Sequence, residues 1–489
     1  MGVLSPAATD WQRNELRRAI GPDAGLGERE LRQELTAILN ERLADPSPAR
    51  RRLRQLIDHI RIGYLVRWAA RLNDSQRPKP ERLARTVATH LLDLGYSPQY
   101  LLAWAGRLSL EYASVSEIFE AAIDLENASV QTYETLVAFH KIPQRQQLAE
   151  PLDNWKSARQ VTDWLRGEGH SVAQIRTGGG FIYNFPARDA YGAAAQARIM
   201  TERLVARSAF LRRDRGGVEP LPHVWVAGHP TAISLTPPAR GADVLSLAHE
   251  GHMYKVTGTR SRVDDALELA AAINQGPLGP AVAGGWAAIE SLLSNPHDPK
   301  DDRSGKALAA DRLAAIITCS WPRAELTTLA HRYQRANDTT LTRQLDSLAT
   351  NRERCRLLAR ALSSGERIQF SDAYEANSEE AALDRMRNLL AEPRKTLNDV
   401  LVPIKVAIRR FYRSRNIVLH GGSTQGISLE AALRTGAPLI GAGLDRVTHA
   451  ALVEGLEPLD LAARAEIALK LVGGETRLSV ADLLERPLT

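Results

Sequence analysis

The chain has 489 residues and a formal net charge of +6, and its 44% hydrophobic and 25% charged residues are ordinary for a globular protein. No apolar run approaches the ~18 residues of a membrane-spanning helix, so we expect no transmembrane segment. The mild positive charge permits a polyanionic partner but does not identify one.

The cysteine content and the N-terminal stretch favour a cytoplasmic setting. Cys319 and Cys355 both lie in helical patterns and form no CxxC pair, which argues against a disulfide framework or a structural zinc site. The first residues have neither the basic nor the apolar region of a signal peptide. We therefore predict a cytoplasmic protein with no cofactor, no metal and no membrane contact.

Residues 1–128 show apolar side chains at three- and four-residue steps, which predicts an N-terminal helical domain. Thr9 with Gln12 predicts a capping box before the first helix. Ser47 followed by Pro48 predicts the start of a long, arginine-rich helix that ends near Leu72. That helix could dock on RNA, but a solvated helix face is the favoured interpretation.

The apolar period changes in residues 129–242, where we predict a small α/β segment with a possible sensory or regulatory role. One strand is predicted around Glu134–His140 and a second near Phe181–Phe185, and two short strands follow. Asp189 predicts the N-cap of a helix that runs to about Arg207. The glycine-rich stretch RTGGGF lacks the Lys-Ser/Thr of a phosphate-binding loop, so a hairpin turn is favoured.

A helical period returns in residues 243–489, which predicts a C-terminal helical bundle. The expected fold class is therefore mostly α, with the α/β segment between two helical domains. The predicted helices of the third domain are Ser261–Ile273, Pro280–Leu293, Gly305–Ile317, Ala324–Tyr333, Asp338–Ala361, Ser371–Leu390, Pro393–Leu419, Leu429–Gly441 and Leu459–Leu471.

The helix predicted over Pro393–Leu419 places an arginine on its apolar face. Because an unpaired buried guanidinium is very costly, Arg415 should have an acidic partner. We predict Glu290, which lies in the apolar stretch WAAIESLL, although a plain surface glutamate stays an alternative. At about 100° per residue the shared face contains Ile404, Ile408, Phe411, Arg415 and Val418.

A second face of the same helix is polar and should meet solvent. Asn416 precedes His420 by one turn, so it can orient the imidazole ring or a phosphate oxygen. His420 lies at the helix C-terminus, where the macrodipole favours the imidazolium form. Arg413 is a candidate for a phosphate contact, with a solvated arginine as the alternative. The polar face contains Arg409, Arg413, Asn416 and His420, and Gly421 and Gly422 should end the helix.

The stretch FYRSRNIVLHGG contains Arg415, Asn416 and His420 as R-N-x-x-x-H. It resembles the signature of the HEPN superfamily, and its aromatic-plus-arginine lead-in and trailing His-Gly are similar to the Apea-like HEPN branch. Upstream, GGWAAIESLL followed by KALAADRLAAII is similar to earlier helices of that family. The resemblance covers about residues 260–489 and does not extend to the first 240 residues.

This resemblance implies a metal-independent endoribonuclease that leaves a 2′,3′-cyclic phosphate, with Arg415, Asn416 and His420 as catalytic residues. Histidine suits the proton transfers, and the planar arginine fork suits phosphate oxygens. The family also implies a homodimer with a composite cleft, and a toxin-like role in antiviral defence through abortive infection. The N-terminal half would then sense an unknown trigger ligand. The alternatives are a non-catalytic RNA- or nucleotide-binding HEPN module and a structural interaction protein.

One further motif, AHEGHMY, contains His249, Glu250 and His252. A zinc-binding HExxH helix spaces its histidines four residues apart, whereas these are three apart with glycine between them. The motif therefore does not predict a metal site. His449 could approach the cleft, but no pattern distinguishes it.

Overall fold

The computed structural model describes most of the chain, with gaps at both termini and in several connecting segments. The described residues are 6–27, 29–41, 43, 47–73, 78–111, 113–142, 152–172, 175–210, 217–256, 261–298, 305–370, 376–421, 427–475 and 478–485.

The predicted fold class is confirmed, because the protein is mostly α-helical with one small antiparallel sheet. The chain forms two compact units, Met1–Trp11 with Ala239–Thr489 and Gln12–Pro238. The second unit therefore holds most of the predicted helical domain together with the α/β segment. No helix among the described residues is long and apolar enough to cross a membrane.

The N-terminal helices begin earlier and are more broken than the sequence predicts. The first helix already begins at Pro6, so Thr9 lies inside it and not at its cap, because proline suits the first turn and two alanines follow. Ser47 caps the arginine-rich helix as predicted, but that helix ends at Arg61. The helices are α1 (Pro6–Ile20), α2 (Arg29–Asn40), α3 (Pro48–Arg61), α4 (Tyr64–Ala69), α5 (Pro80–Asp93), α6 (Pro98–Leu110) and α7 (Val115–Asn127).

Two helices cover the five-stranded sheet, whose strand order is β2-β3-β1-β4-β5 with antiparallel pairing throughout. Phe139 packs in the cluster that includes α9, and Leu136 packs in the cluster that includes α8, so alternate residues of β1 serve opposite faces. The predicted strands are present, but the two-residue β2 was missed because it is too short to show a period. The elements are β1 (Gln131–Lys141), β2 (Trp155–Lys156), α8 (Ala158–Gly167), β3 (Gly179–Ala187), α9 (Ala190–Ser208), β4 (Glu219–Val226) and β5 (Ile233–Ser234).

A buried carboxylate joins the first helices to the sheet segment. The two Asp189 oxygens accept hydrogen bonds from the Ser97 amide at 2.7 Å and from the Ser97 hydroxyl at 2.8 Å. The same carboxylate caps α9 through the Gly192 amide at 2.8 Å, as the sequence predicts. A buried charge requires such donors, so this contact ties the two segments together.

The unit formed mainly by Ala239–Thr489 is a bundle of helices. The two helices predicted before and after Pro322 are one continuous helix, because both halves are buried against neighbouring helices. The helix predicted over Asp338–Ala361 is instead two, since Thr350 and Glu353 form a capping box that starts a new one. The helices are α10 (Arg262–Ala270), α11 (Ala272–Gln275), α12 (Leu278–Leu293), α13 (Gly305–Ala336), α14 (Thr340–Asp346), α15 (Asn351–Ser363), α16 (Ala376–Ala391), α17 (Pro393–Gly421), α18 (Ile427–Glu454) and α19 (Pro458–Leu471).

A single aromatic side chain fixes α17 in this bundle. Phe411 is fully buried between two glycines, Gly285 of α12 and Gly436 of α18. A Cβ on Gly285 would lie 3.1 Å from Phe411 Cζ, and one on Gly436 would lie 2.8 Å from Phe411 Cδ2. Glycine at these positions therefore makes room for the ring. The packed ring fixes the position of α17, which we call the motif helix, against α12 and α18.

Candidate active site

The last turns of α17 carry the three predicted catalytic residues. Arg415 is half-buried, Asn416 is 7% exposed and His420 is exposed. The Arg415 guanidinium donates a hydrogen bond from Nη1 to Asn416 Oδ1 at 3.0 Å. The structure thus brings Arg415 and Asn416 into direct contact, and it leaves the His420 ring facing solvent one turn further on.

The prediction that the polar face of α17 meets solvent is wrong for two of its residues. Arg413 is 8% exposed and Asn416 is 7% exposed, and only His420 is exposed as expected. The reason is that α17 packs against α12, α13, α16 and α18, which together cover more than its apolar face. Arg413 is therefore not available on the surface for a substrate phosphate.

The predicted ion pair between Arg415 and Glu290 is wrong for the described residues. Glu290 Oε2 instead accepts a hydrogen bond from the Trp286 indole at 3.1 Å, one turn earlier in α12. The Trp286 ring packs against Tyr412 with centroids 4.7 Å apart. The tertiary contact therefore runs from Glu290 through Trp286 to Tyr412 on the motif helix.

An acidic residue that the sequence did not single out lies beside the motif helix. Asp311 of α13 receives Arg409 Nη2 at 2.9 Å on both oxygens, and Lys405 Nζ lies 3.3 Å from Oδ2. These two cations lie one turn apart on α17, so one carboxylate serves both. The only available signal was an acidic residue within the apolar helix ALAADRLAAII.

The neighbouring residue of α13 forms a second ion pair. Arg312 meets Asp298 through two hydrogen bonds of 2.7 Å and also donates to the Leu293 carbonyl at 2.8 Å. The contact with Arg312 lowers the pKa of Asp298 and raises the pKa of Arg312. This bidentate pair fixes the end of α12, and with it Glu290, relative to α13.

Arg415 and His420 lie five positions apart on α17. This spacing corresponds to roughly 7.5 Å along the axis and about 140° around it on ideal geometry. One chain therefore presents the Arg415 guanidinium and the His420 imidazole in different directions. Among the described residues no hydrogen bond to the His420 ring is formed, so the ring can meet an external group.

No family model, curated protein or solved structure compared with the chain matches it. The HEPN resemblance therefore stays a prediction that rests on the residues quoted above.

The remaining candidates are His449 and the residues of the AHEGHMY motif. His252 is buried, and the side chains of His249 and Glu250 lie outside the described residues, as does Gly422 after the end of α17. Within the described part of the chain no group of three or more His, Cys, Asp or Glu side chains is placed to hold a metal ion. His449 is half-buried, and burial lowers its pKa.

Proposed function

We propose that this protein is a metal-independent endoribonuclease of HEPN type that cleaves RNA to leave a 2′,3′-cyclic phosphate. The observation that carries the proposal is the end of α17, where Arg415 contacts Asn416 and His420 is exposed one turn later. Cleavage of this kind needs a proton removed from the 2′-OH, a proton given to the 5′-oxygen and stabilisation of the phosphorane charge. Histidine and arginine supply these functions without a metal.

The burial of each side chain assigns it a role in this proposal. His420 is exposed and transfers protons, the role that histidine most often has in general acid–base catalysis. Arg415 is half-buried and binds the phosphate through donors that Asn416 does not occupy. Asn416 is buried and positions the Arg415 guanidinium. Arg413 and Glu290 support the helix and do not touch the substrate.

A homodimer is part of the proposal. Because Arg415 and His420 point in different directions on one helix, two copies facing each other would supply both groups to one RNA strand. The expected partners are thus an RNA substrate and a second copy of the chain, in the cytoplasm, in a defence or toxin-like response. Light scattering gives the oligomeric state. With a spin label at position 420 of each copy, the distance between the two labels should be roughly 10 Å plus the length of the label linkers.

The test is cleavage of a labelled single-stranded RNA by the full chain in EDTA. His420→Ala and Arg415→Ala should each lower the rate at least ~100-fold, the usual size of a general acid–base contribution. His297→Ala and Arg434→Ala are matched controls, since both residues are exposed and outside the motif, and they should cleave at the wild-type rate. Circular dichroism and thermal unfolding establish that each variant is folded.

Three outcomes would contradict the proposal. If the wild type is inert on single-stranded and structured RNA but binds RNA through Arg415, the protein is a non-catalytic binding module. If Arg415→Ala unfolds the chain while His420→Ala changes neither binding nor cleavage, the motif serves structure only. Cleavage that is abolished by EDTA would refute the metal-independent mechanism.

A further inference from the structure

An open surface pocket of about 500 Å³ lies in the Gln12–Pro238 unit beside α5. Its volume falls within the roughly 300–1,000 Å³ of small-molecule sites. Tyr64 and Trp68 of α4 and Asp23 line one side, and the opposite side is formed by the first turns of α5. We call this the α5 pocket. It is independent of the motif helix, because all its lining residues belong to the other unit.

The aromatic side of the α5 pocket is held rigidly by one carboxylate. Asp23 Oδ1 accepts the Trp68 indole N–H at 3.0 Å, and both Asp23 oxygens lie 3.1 Å from the Tyr64 hydroxyl. Burial raises the pKa of Tyr64 to about 12, so its hydroxyl stays a donor to Asp23 at neutral pH. Asp23 is thus committed to these protein donors and holds the two rings in place.

Three cations face the same space from the α5 side. Arg82 lies over the Trp68 ring at 5.3 Å and donates to the Pro22 carbonyl, so its position is set before any ligand arrives. Lys79 and Arg85 are exposed and line the pocket, and neither forms an ion pair within the described part of the chain. Pocket-facing cations without a protein partner are suited to an anionic ligand.

The balance of charge and donors favours phosphate. The lining contains Lys79, Arg82 and Arg85 against Asp23 and Glu81, which leaves an excess of one positive charge. Thr86 is half-buried, lines the pocket and makes no side-chain hydrogen bond among the described residues, so its hydroxyl can donate. Arginine, lysine and hydroxyl donors together match the oxygens of a phosphate group.

We propose that the α5 pocket binds a small phosphate-bearing molecule of about mononucleotide size. Arg82 and Arg85 contact the phosphate oxygens, Lys79 contributes charge, and Thr86 donates from the pocket wall. The pocket has room beyond a single phosphate group, which favours a phosphate ester. The proposal does not depend on the ribonuclease activity, and a bound ligand here would act on the unit that lacks the motif helix.

Isothermal titration of the full chain tests the proposal with five probes: AMP, ribose 5-phosphate, inorganic phosphate, adenosine and a single-stranded RNA oligonucleotide. We expect AMP and ribose 5-phosphate to bind with Kd below about 1 mM, more tightly than inorganic phosphate, and adenosine not to bind. Arg85→Ala and Lys79→Ala should each weaken AMP binding about tenfold, and Thr86→Val should weaken it several-fold. Arg107→Ala removes an exposed arginine that does not line the pocket, and it should bind as the wild type does.

Several results would overturn the proposal. Adenosine that binds as tightly as AMP would show that phosphate is not recognised. Equal affinity of the Arg85→Ala, Lys79→Ala and Arg107→Ala variants would place the site elsewhere. If inorganic phosphate binds as tightly as AMP and ribose 5-phosphate, the pocket does not recognise a phosphate ester. If only the single-stranded RNA oligonucleotide binds, the ligand is RNA and not a small molecule. Both tested basic residues are exposed and form no ion pair with the described residues, so their variants should stay folded.

Discussion

The Arg415 guanidinium donates to the Asn416 carboxamide across 3.0 Å, so the two motif residues are partners and not independent groups. If Asn416 acts by positioning Arg415, Asn416→Ala should lower the cleavage rate about tenfold, or ~1.4 kcal/mol. In an Arg415→Ala background the same change should have almost no effect, because nothing remains to be positioned. The four rates of this double-mutant cycle check the prediction, and additive losses would contradict it.

The two glycines around Phe411 give a prediction about stability. Gly436→Ala places a Cβ 2.8 Å from the fully buried Phe411 ring, so overpacking should lower the free energy of unfolding by about 1–3 kcal/mol. Gly106→Ala is the matched control, since its Cβ would meet no atom within 4 Å in helix α6, and it should stabilise by about 0.5–1 kcal/mol. Urea unfolding of both variants measures the difference. Equal changes in the free energy of unfolding would show that the Phe411 ring does not depend on glycine at position 436.

A buried histidine predicts a loss of stability in acid. His90 Nε2 lies 2.8 Å from Glu126 Oε1, the Tyr64 ring stacks on the imidazole at 4.6 Å, and both side chains of the pair are under 10% exposed. Burial lowers the pKa of His90 more than Glu126 and Asp93 raise it, and Arg61 lowers it further. The pKa of His90 in the folded protein therefore lies below its unfolded value of about 6.5. The neutral form of His90 contributes to stability above pH ~6.5, and this contribution is lost as the pH falls below that value.

Unfolding measurements between pH 8 and pH 5 check this sign. The wild type should lose stability on acidification, and His90→Gln should lose less because it cannot take up the proton. His59→Gln, at an exposed histidine of α3, should follow the wild-type curve. A His90→Gln variant with the full wild-type pH dependence would show that other groups are responsible.

The thiols of the two cysteines should be unreactive in the folded protein. Cys319 is 2% exposed and Cys355 is fully buried, and burial raises the pKa of Cys319 to about 12 and also raises the pKa of Cys355. Since the thiolate is the reactive form, native protein should incorporate almost no iodoacetamide at pH 8, whereas unfolded protein should incorporate two equivalents. Mass spectrometry gives the count, and rapid labelling of either cysteine in the native state would contradict the burial.

Features set by local chemistry were predictable from the sequence. Ser47 and Asp189 begin their helices where predicted, because an N-cap needs only a side-chain acceptor and the amides of the next turn. Ile408 and Phe411 are buried because the helical period places them on one apolar face. The exposed position of His420 at the end of α17 follows from the same rules.

The tertiary structure decided everything that depends on which helices pack against α17. Asn416 is on the polar face but is buried, and Glu290 pairs with Trp286 and not with Arg415, because these outcomes depend on neighbours that are distant in sequence. Helix α13 continues through Pro322 for the same reason, since packing along its whole length outweighs the local cost of proline. Local rules fix where a helix begins and which side is apolar, whereas the partners of a buried polar group are fixed only when the bundle closes.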